Sequence, residues 1–194
     1  MMGIAGLLPL LKPVTRSNHI SSYRNRRVAV DGYAWLHKAV YGCCMNLTRG
    51  IDSHQWIVYC INLIDMLLSF DIEVHMVFDG ANLPAKKDTE AVRDASRRVA
   101  LKTGLLLFGT GSPREMAAAH PYLSKAVDVT PRMAAELILV LRTSRPIVRC
   151  TVAPYEADAQ LSYLSATDLV DAVISEDSDT IPYGCSEVIN LQRF

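Results

Sequence analysis

No apolar run in these 194 residues reaches the ~18 to 20 positions that a membrane-spanning helix requires, and the N-terminus lacks the basic, apolar and small-residue succession of a secretory signal. Those absences predict a soluble protein that stays inside the cell and has no membrane partner. A disulfide or zinc framework is missing as well. The five cysteines, Cys43, Cys44, Cys60, Cys150 and Cys185, are odd in number and contain no C-x-x-C pair, so they are expected to be reduced core residues. Internal repeats and low-complexity tracts are absent, which excludes solenoid and linker architectures. Net charge is absent too, with 20 cations against 20 anions, and a zero total by itself argues against a nucleic-acid partner.

What is present changes that last reading. Residues 1–50 carry seven cations (Lys12, Arg16, Arg24, Arg26, Arg27, Lys38 and Arg49) against Asp31 alone. Residues 151–194 carry eight anions (Glu156, Asp158, Asp168, Asp171, Glu176, Asp177, Asp179 and Glu187) against Arg193 alone. A basic surface for phosphates beside an acidic pocket for cations would produce this split, as would two solvated faces.

Half of the residues are apolar, enough for one sizeable core, and the length suits a single domain over 1–194. Short β-branched runs alternate with stretches of helical period, the pattern of an α/β fold around a mainly parallel central sheet flanked by helices. Strands are expected over 27–30, 73–78, 147–152, 172–174 and 187–191. A helix over 55–70 would bury a stripe of Ile57, Ile61, Ile64 and Leu68. Residues 85–102 read as a polar helix with Lys86, Arg93 and Arg97 on one face. The three glycines and Ser-Pro step of 103–114 predict a turn or a flexible excursion, and a further helix restarts at Pro131. On spacing alone, Trp35 and His37 would be core, and His54, His75 and His120 structural.

Acids fall directly after the apolar runs: Val28-Ala-Val-Asp31, Met76-Val-Phe-Asp79, Val152-Ala-Pro-Tyr-Glu156-Ala-Asp158 and Val173-Ile-Ser-Glu-Asp177-Ser-Asp179. In a parallel sheet the C-terminal strand ends share one edge, so these side chains should converge. Carboxylates brought together repel one another until they are protonated or bind cations, and hard divalent ions suit an all-oxygen cluster. Replacing Asp79 or Asp177 by alanine is expected to abolish hydrolysis with little loss of fold, because the acids repel one another. Any single acid of this kind can equally be a helix N-cap, and pairing with Glu90 and Asp94 would account for the cationic helix face.

The motifs resemble those of the flap endonuclease and exonuclease superfamily, and within it the exonuclease one branch. The resemblance rests on Met2-Gly3-Ile4-Ala5-Gly6-Leu7-Leu8-Pro9, on Val30-Asp31-Gly32-Tyr33-Ala34-Trp35-Leu36-His37-Lys38, and on Phe78-Asp79-Gly80 followed by Leu83-Pro84-x-Lys86. It continues through Ala153-Pro154-Tyr155-Glu156-Ala157-Asp158-Ala159-Gln160 and Glu176-Asp177-Ser178-Asp179. It implies a 5′ nuclease, or PIN-like, core with a helical gateway at about 85–132 over the active site. Two magnesium ions, replaceable by manganese, would be held by Asp31, Asp79, Glu156, Asp158, Asp177 and Asp179. Lys86 and Arg93 would act on the scissile phosphate, and Gly3, Tyr33, His37 and Arg97 would meet DNA. The implied activity is a 5′ to 3′ exodeoxyribonuclease, with 5′ flap cleavage, on duplex carrying a recess, nick or flap, in nuclear repair and recombination. Repair proteins would bind through parts not present here.

Family members carry a further aspartate in a Gly-Cys-Asp-Tyr-type motif and then a helix-two-turn-helix element. Neither follows before Phe194, which predicts a second ion short of one ligand and a weakened grip on duplex. Met1 precedes the methionine that aligns with the family's first residue. The competing expectations are a dedicated flap or gap endonuclease and a catalytically impaired DNA-binding fragment. A phosphatase of the haloacid dehalogenase type, suggested by Asp177-Ser-Asp179-Thr, is disfavoured by Ile181.

Overall fold

The computed structural model describes residues 4, 6–51 and 53–191. Its centre is one sheet of five strands, β1 (Arg27–Asp31), β2 (Glu73–Phe78), β3 (Arg149–Val152), β4 (Ala172–Ile174) and β5 (Val188–Ile189). The strands run parallel in the order β3-β2-β1-β4-β5. Val28 lies level with Val74 on one side and with Ala172 on the other. Val28, Ala29, Val30, Met76, Val77 and Val173 are fully buried. A central parallel strand is covered on both faces, which is why these segments read as continuous apolar runs rather than alternating ones.

The expected strands agree with the structure at 73–78 and 172–174. The first extends one residue to Asp31, and the third and fifth shorten at their ends. From β1 the chain builds outward to β2 and β3, and later it places β4 and β5 on β1's other side. The strand order therefore reverses between β1 and β4, the position where open parallel sheets take their ligands.

The helices among the described residues are α1 (Leu7–Leu11), α2 (Gly32–Leu47), α3 (Gln55–Ser69), α4 (Lys87–Gly109), α5 (Pro113–Ala126), α6 (Pro131–Ser144) and α7 (Ala157–Ala166). None is long and apolar enough to cross a membrane. In α3 the buried stripe is Trp56, Cys60, Ile64 and Leu67, while Ile57, Ile61 and Leu68 are only partly covered. The expected stripe was thus displaced by about one position, because Trp56 and Cys60 carry the face that the isoleucines were assigned.

Two compact units make up the chain. One comprises Met1–Ala34, Ile61–Ala81 and Ala134–Phe194, and the other Trp35–Cys60 and Asn82–Met133. The first holds the sheet, with Ala29, Val77, Leu161, Leu164 and Val173 in its core. In the second, Cys44, Ala119 and Leu123 are buried together, and Met45, Leu101, Leu107 and Phe108 pack on them.

Of the turn or flexible excursion expected over 103–114, the structure shows a turn, but only at 110–112. Helix α4 runs on to Gly109, Gly111 turns the chain at φ 72°, and α5 starts with Pro113 at its first position. Tertiary packing outweighs the local glycine signal here. A Cβ on Gly104 would stand 2.6 Å from Leu123 Cδ2, so the missing side chain lets α4 and α5 close on each other. Leu107 and Phe108 meanwhile bury in the cluster so formed.

All five cysteines are free; four are buried and Cys150 is partly exposed. His75 is structural, its Nε2 lying 2.8 Å from Thr151 Oγ1. His120 packs edge-on against Tyr41.

Candidate functional site

The six acids stand at the C-terminal ends of four adjacent strands. Asp31 closes β1 and Asp79 follows β2. Glu156 and Asp158 open α7 after β3, and after β4 Asp177 caps the 3-10 turn Ser178–Thr180, with Asp179 inside it. Parallel geometry therefore sets Asp31, Asp79, Glu156, Asp158 and Asp177, up to 146 positions apart in the chain, close enough to act on one another's charge.

Their environment differs from residue to residue. Asp31 is 6% exposed. Its Oδ1 accepts a hydrogen bond from the Ala34 backbone N–H at 2.9 Å and its Oδ2 one from the Ser175 hydroxyl at 3.4 Å. Burial pushes its carboxyl up to about 6, with Asp79 and Asp177 adding repulsion against the two hydrogen bonds. Asp158 is pushed up to about 7, first by burial and then by the charges of Asp31, Asp177, Asp79 and Glu156. Five acids thus share one electrostatic environment. Among the described residues, no group of three or more His, Cys, Asp or Glu side chains is placed so as to hold a metal ion.

Two acids are tied into the backbone. Asp79 Oδ1 accepts from the Ala157 N–H at 2.6 Å, capping α7 in place of Glu156, which makes no cap hydrogen bond. Asp177 Oδ1 accepts from the Asp179 N–H at 3.0 Å. Removing either side chain would also remove a backbone acceptor, a contribution that the expectation of little loss of fold for Asp79 and Asp177 left out. Asp179 Oδ1 is buried with no hydrogen-bond partner. A buried carboxylate oxygen in that state is costly unless something positive reaches it. An all-oxygen donor set with an orphaned acceptor fits hard divalent ions.

Close approach of chain to chain shapes this edge. Gly80 N–H donates to the Tyr155 carbonyl at 2.6 Å and Ala81 N–H to the Pro154 carbonyl at 3.1 Å. A Cβ on Gly80 would fall 1.8 Å from the Ala153 carbonyl oxygen, so only glycine lets the loop after β2 lie against the loop after β3.

The charge asymmetry of the sequence has a partly structural origin. Arg27 grips Asp171 through Nη2–Oδ1 at 2.7 Å and Nε–Oδ2 at 3.2 Å. Arg26 pairs with Glu187 at 3.5 Å, and Tyr23 Oη donates to the same carboxylate at 2.5 Å. Arg24 pairs with Asp71. These residues precede or begin β1, β2, β4 and β5, at the sheet edge opposite the acids. Three of the seven N-terminal cations are thus spent on the far edge rather than on a phosphate surface near the site.

Of the remaining predicted residues, Lys86 ends the 3-10 turn Pro84–Lys86 just before α4. Arg93 pairs with Glu90, and Arg97 with Asp94 and Asp128, so the pairing that offered a purely structural account of this face does occur. His37 is exposed rather than core, unlike Trp35. Neighbouring protein desolvates the His37 imidazole and the Arg97 and Arg93 cations oppose its protonation, so it lies below the usual histidine value. Tyr33 sets its ring edge-on to Phe78, 6.4 Å between centroids. Gly3, Met1 and Met2 lie outside the described residues.

Sequence reasoning missed Ser175 and Ser178. Ser175 donates to Asp31 and accepts from the Asp177 N–H at 3.0 Å, linking the ends of β1 and β4. Its signal was a small hydroxyl at the end of an otherwise apolar buried run.

Residues 2–100 match the family model of the XPG N-terminal domain, and residues 147–192 match that of the XPG I-region. The chain belongs to the XPG family. It is 43% identical to Exonuclease 1 of Danio rerio over 97% of this chain and 23% of that protein. It is 45% identical to Exonuclease 1 of Oryza sativa subsp. japonica over 97% and 22%. Exodeoxyribonuclease 1 of Schizosaccharomyces pombe is 40% identical over 97% and 32%. The chain spans about a quarter of the length of the first of these relatives. Among solved structures, the catalytic core of Rad2 in complex with DNA substrate superposes with a TM-score of 0.65 at 23% identity, over 96% of this chain and 50% of that one. Flap endonuclease-1 from Methanococcus jannaschii gives 0.58 at 21%, over 89% and 55%. The XPG-family sheet and its helices are the shared fold.

Proposed function

We propose that this XPG-family chain is the core of a divalent-metal-dependent, structure-specific DNA nuclease, a 5′ to 3′ exodeoxyribonuclease that also cuts 5′ flaps, acting in nuclear DNA repair and recombination. The supporting observation is that Asp31 and Asp158, partly or wholly buried at the C-terminal edge of the sheet, are repelled by the charges of Asp79, Asp177 and, for Asp158, Glu156, a repulsion that a bound cation would relieve. Asp31, Asp79, Glu156, Asp158, Asp177 and Asp179 would hold magnesium, or manganese in its place. Bound divalent ions supply an acidified water and charge stabilisation at the leaving oxygen of a phosphodiester.

The chain's own residues set up that chemistry. Ser175 and the Ala34 N–H orient Asp31, and the Ala157 N–H orients Asp79. Lys86 and Arg93 are assigned to the scissile phosphate, with Arg93 exchanging its Glu90 partner for phosphate oxygens. Gly3, Tyr33, His37 and Arg97 are assigned to DNA contact. His37 held below the usual value meets DNA as a neutral donor or acceptor near pH 7. Segment 85–132 is assigned as the helical gateway of one nuclease core.

The test is cleavage of 5′-recessed duplex in magnesium, manganese and chelator, beside Asp177→Ala and a version extended beyond Phe194. Cleavage that requires both metal and Asp177 supports the proposal. If neither length cuts recessed or flapped DNA, the nuclease reading fails. A flapped substrate cut far faster than a recessed one would reassign the protein as a flap endonuclease.

A further inference from the structure

The Ser178 hydroxyl accepts a hydrogen bond of 2.9 Å from the Ile4 backbone N–H, across 174 positions of sequence. Ile4 is 52% exposed, so burial of its side chain does not anchor it. Its carbonyl is also engaged, accepting from the Leu7 N–H at 3.2 Å through a turn in which Gly6 has φ 83°. Both polar groups of the Ile4 backbone are therefore fixed, one of them by a side chain from the other end of the chain.

Ser178 is 3% exposed and begins the 3-10 turn between Asp177 and Asp179. Inside, that turn is held by Asp177 Oδ1 on the Asp179 N–H, by Ser175 Oγ on the Asp177 N–H, and by the Thr180 hydroxyl donating to the Asp177 carbonyl at 2.9 Å. The Ile4 hydrogen bond ties the same turn to the start of the chain. Of these hydrogen bonds it is the one whose donor lies outside residues 175–180.

We propose that Ser178 is a positioning residue: its hydroxyl latches Ile4 to the acidic turn, and so holds Asp177 and Asp179 where they are needed. The catalytic half of this rests on the nuclease reading above, whereas the latch itself does not. Coupling of this kind is reciprocal. A divalent ion that orders the turn protects the Ile4 amide, and losing the latch weakens the response to the ion.

The test is hydrogen exchange at the Ile4 amide, read by NMR on the whole chain with chelator and with magnesium, for the wild type, Ser178→Ala and Ser178→Thr. The alanine variant is expected to exchange about tenfold faster at Ile4, with amides of β1 and β2 unchanged and protection restored by threonine. On 5′-recessed duplex, Ser178→Ala is expected to lower kcat with KM unchanged and to raise the magnesium concentration for half-maximal rate. Unchanged Ile4 exchange in Ser178→Ala overturns the latch whatever the activity. Faster exchange with unaltered kcat and magnesium response overturns the positioning role. Absence of cleavage in the wild type as well overturns the nuclease reading, while the exchange data still decide the latch.

Discussion

Asp79 and Ala157 are joined by a hydrogen bond of 2.6 Å from the helix's first N–H to the carboxylate, so an acid after one strand caps the helix that follows another. The same group is assigned to metal, and its two roles separate by experiment. Asp79→Ala should lose cleavage and also about 1 kcal/mol of stability, roughly 2 to 4 °C in Tm, the usual cost of a lost cap. Asp79→Asn keeps an acceptor and should lose cleavage with a smaller change in Tm. Equal melting temperatures for Asp79→Ala and the wild type in chelator would show that the cap contributes nothing.

The raised carboxyls make the metal-free protein sensitive to pH. Asp31 and Asp158 titrate near 6 and near 7 in the fold and near 4 when unfolded, so the folded state binds their protons more tightly. Their destabilising effect is complete above about pH 7 and is relieved as pH falls through 7 and 6 towards 4. In chelator, the gap between Tm at pH 5.5 and at pH 8 should therefore shift towards the acid side, and Asp31→Asn/Asp158→Asn should remove that shift. Magnesium should raise Tm more at pH 8 than at pH 5.5, because protons compete with the ion. A gap identical in the double variant and the wild type would place the two acids in separate, solvated surroundings.

Gly80→Ala puts a methyl 1.8 Å from a backbone oxygen that no rotamer can move aside. The loops after β2 and β3 must part, at a cost of about 1 to 3 kcal/mol or more, carrying Asp79 away from Glu156. Urea titration should show a lower midpoint with unchanged slope, together with loss of metal-dependent cleavage. Wild-type stability in this variant would contradict the close approach of the two loops.

Position along the sheet decides which cations should matter to DNA. Arg26→Ala and Arg27→Ala remove charge from the edge opposite the acids, where both side chains are paired. They should leave the slope of log affinity against log salt unchanged for 5′-recessed duplex. Lys86→Ala or Arg97→Ala should reduce that slope by about one phosphate each. A reduced slope from Arg27→Ala would put DNA on the far edge.

Much of the site was legible before any fold was in view. The runs before Asp31 and Asp177 are buried and apolar throughout, so the acids that end them stood out; the run before Glu156 and Asp158 is more exposed and carries Thr151, and there the motif was the clearer signal. Strand order, which decides that the acids of β1 and β4 flank the switch point, carries no local signal; it follows from which strand pairs with which.

Local patterns were overruled wherever long-range packing outweighed them. The glycines of 103–114 favour a turn, and it comes only at Gly111, because Leu107 and Phe108 pack on the cluster of Leu123 and keep residues up to Gly109 helical. In α3, Trp56 and Cys60 take the buried face from Ile57 and Ile61 because the neighbours, not the helix, choose it. The cations of the first 50 residues looked like a surface for phosphate, and several prove to be partners for Asp71, Asp171 and Glu187.

The sequence by itself determined the fold class, the family and the acids, because periodicity and motif are properties of neighbouring residues. Only the tertiary structure decided what each acid does besides hold charge. The cap of Asp79 on Ala157, the serine between Asp31 and Asp177, and the hold of Ser178 on Ile4 all join groups distant in the chain, and hydrogen bonds depend on distance and angle in space rather than on order along the backbone.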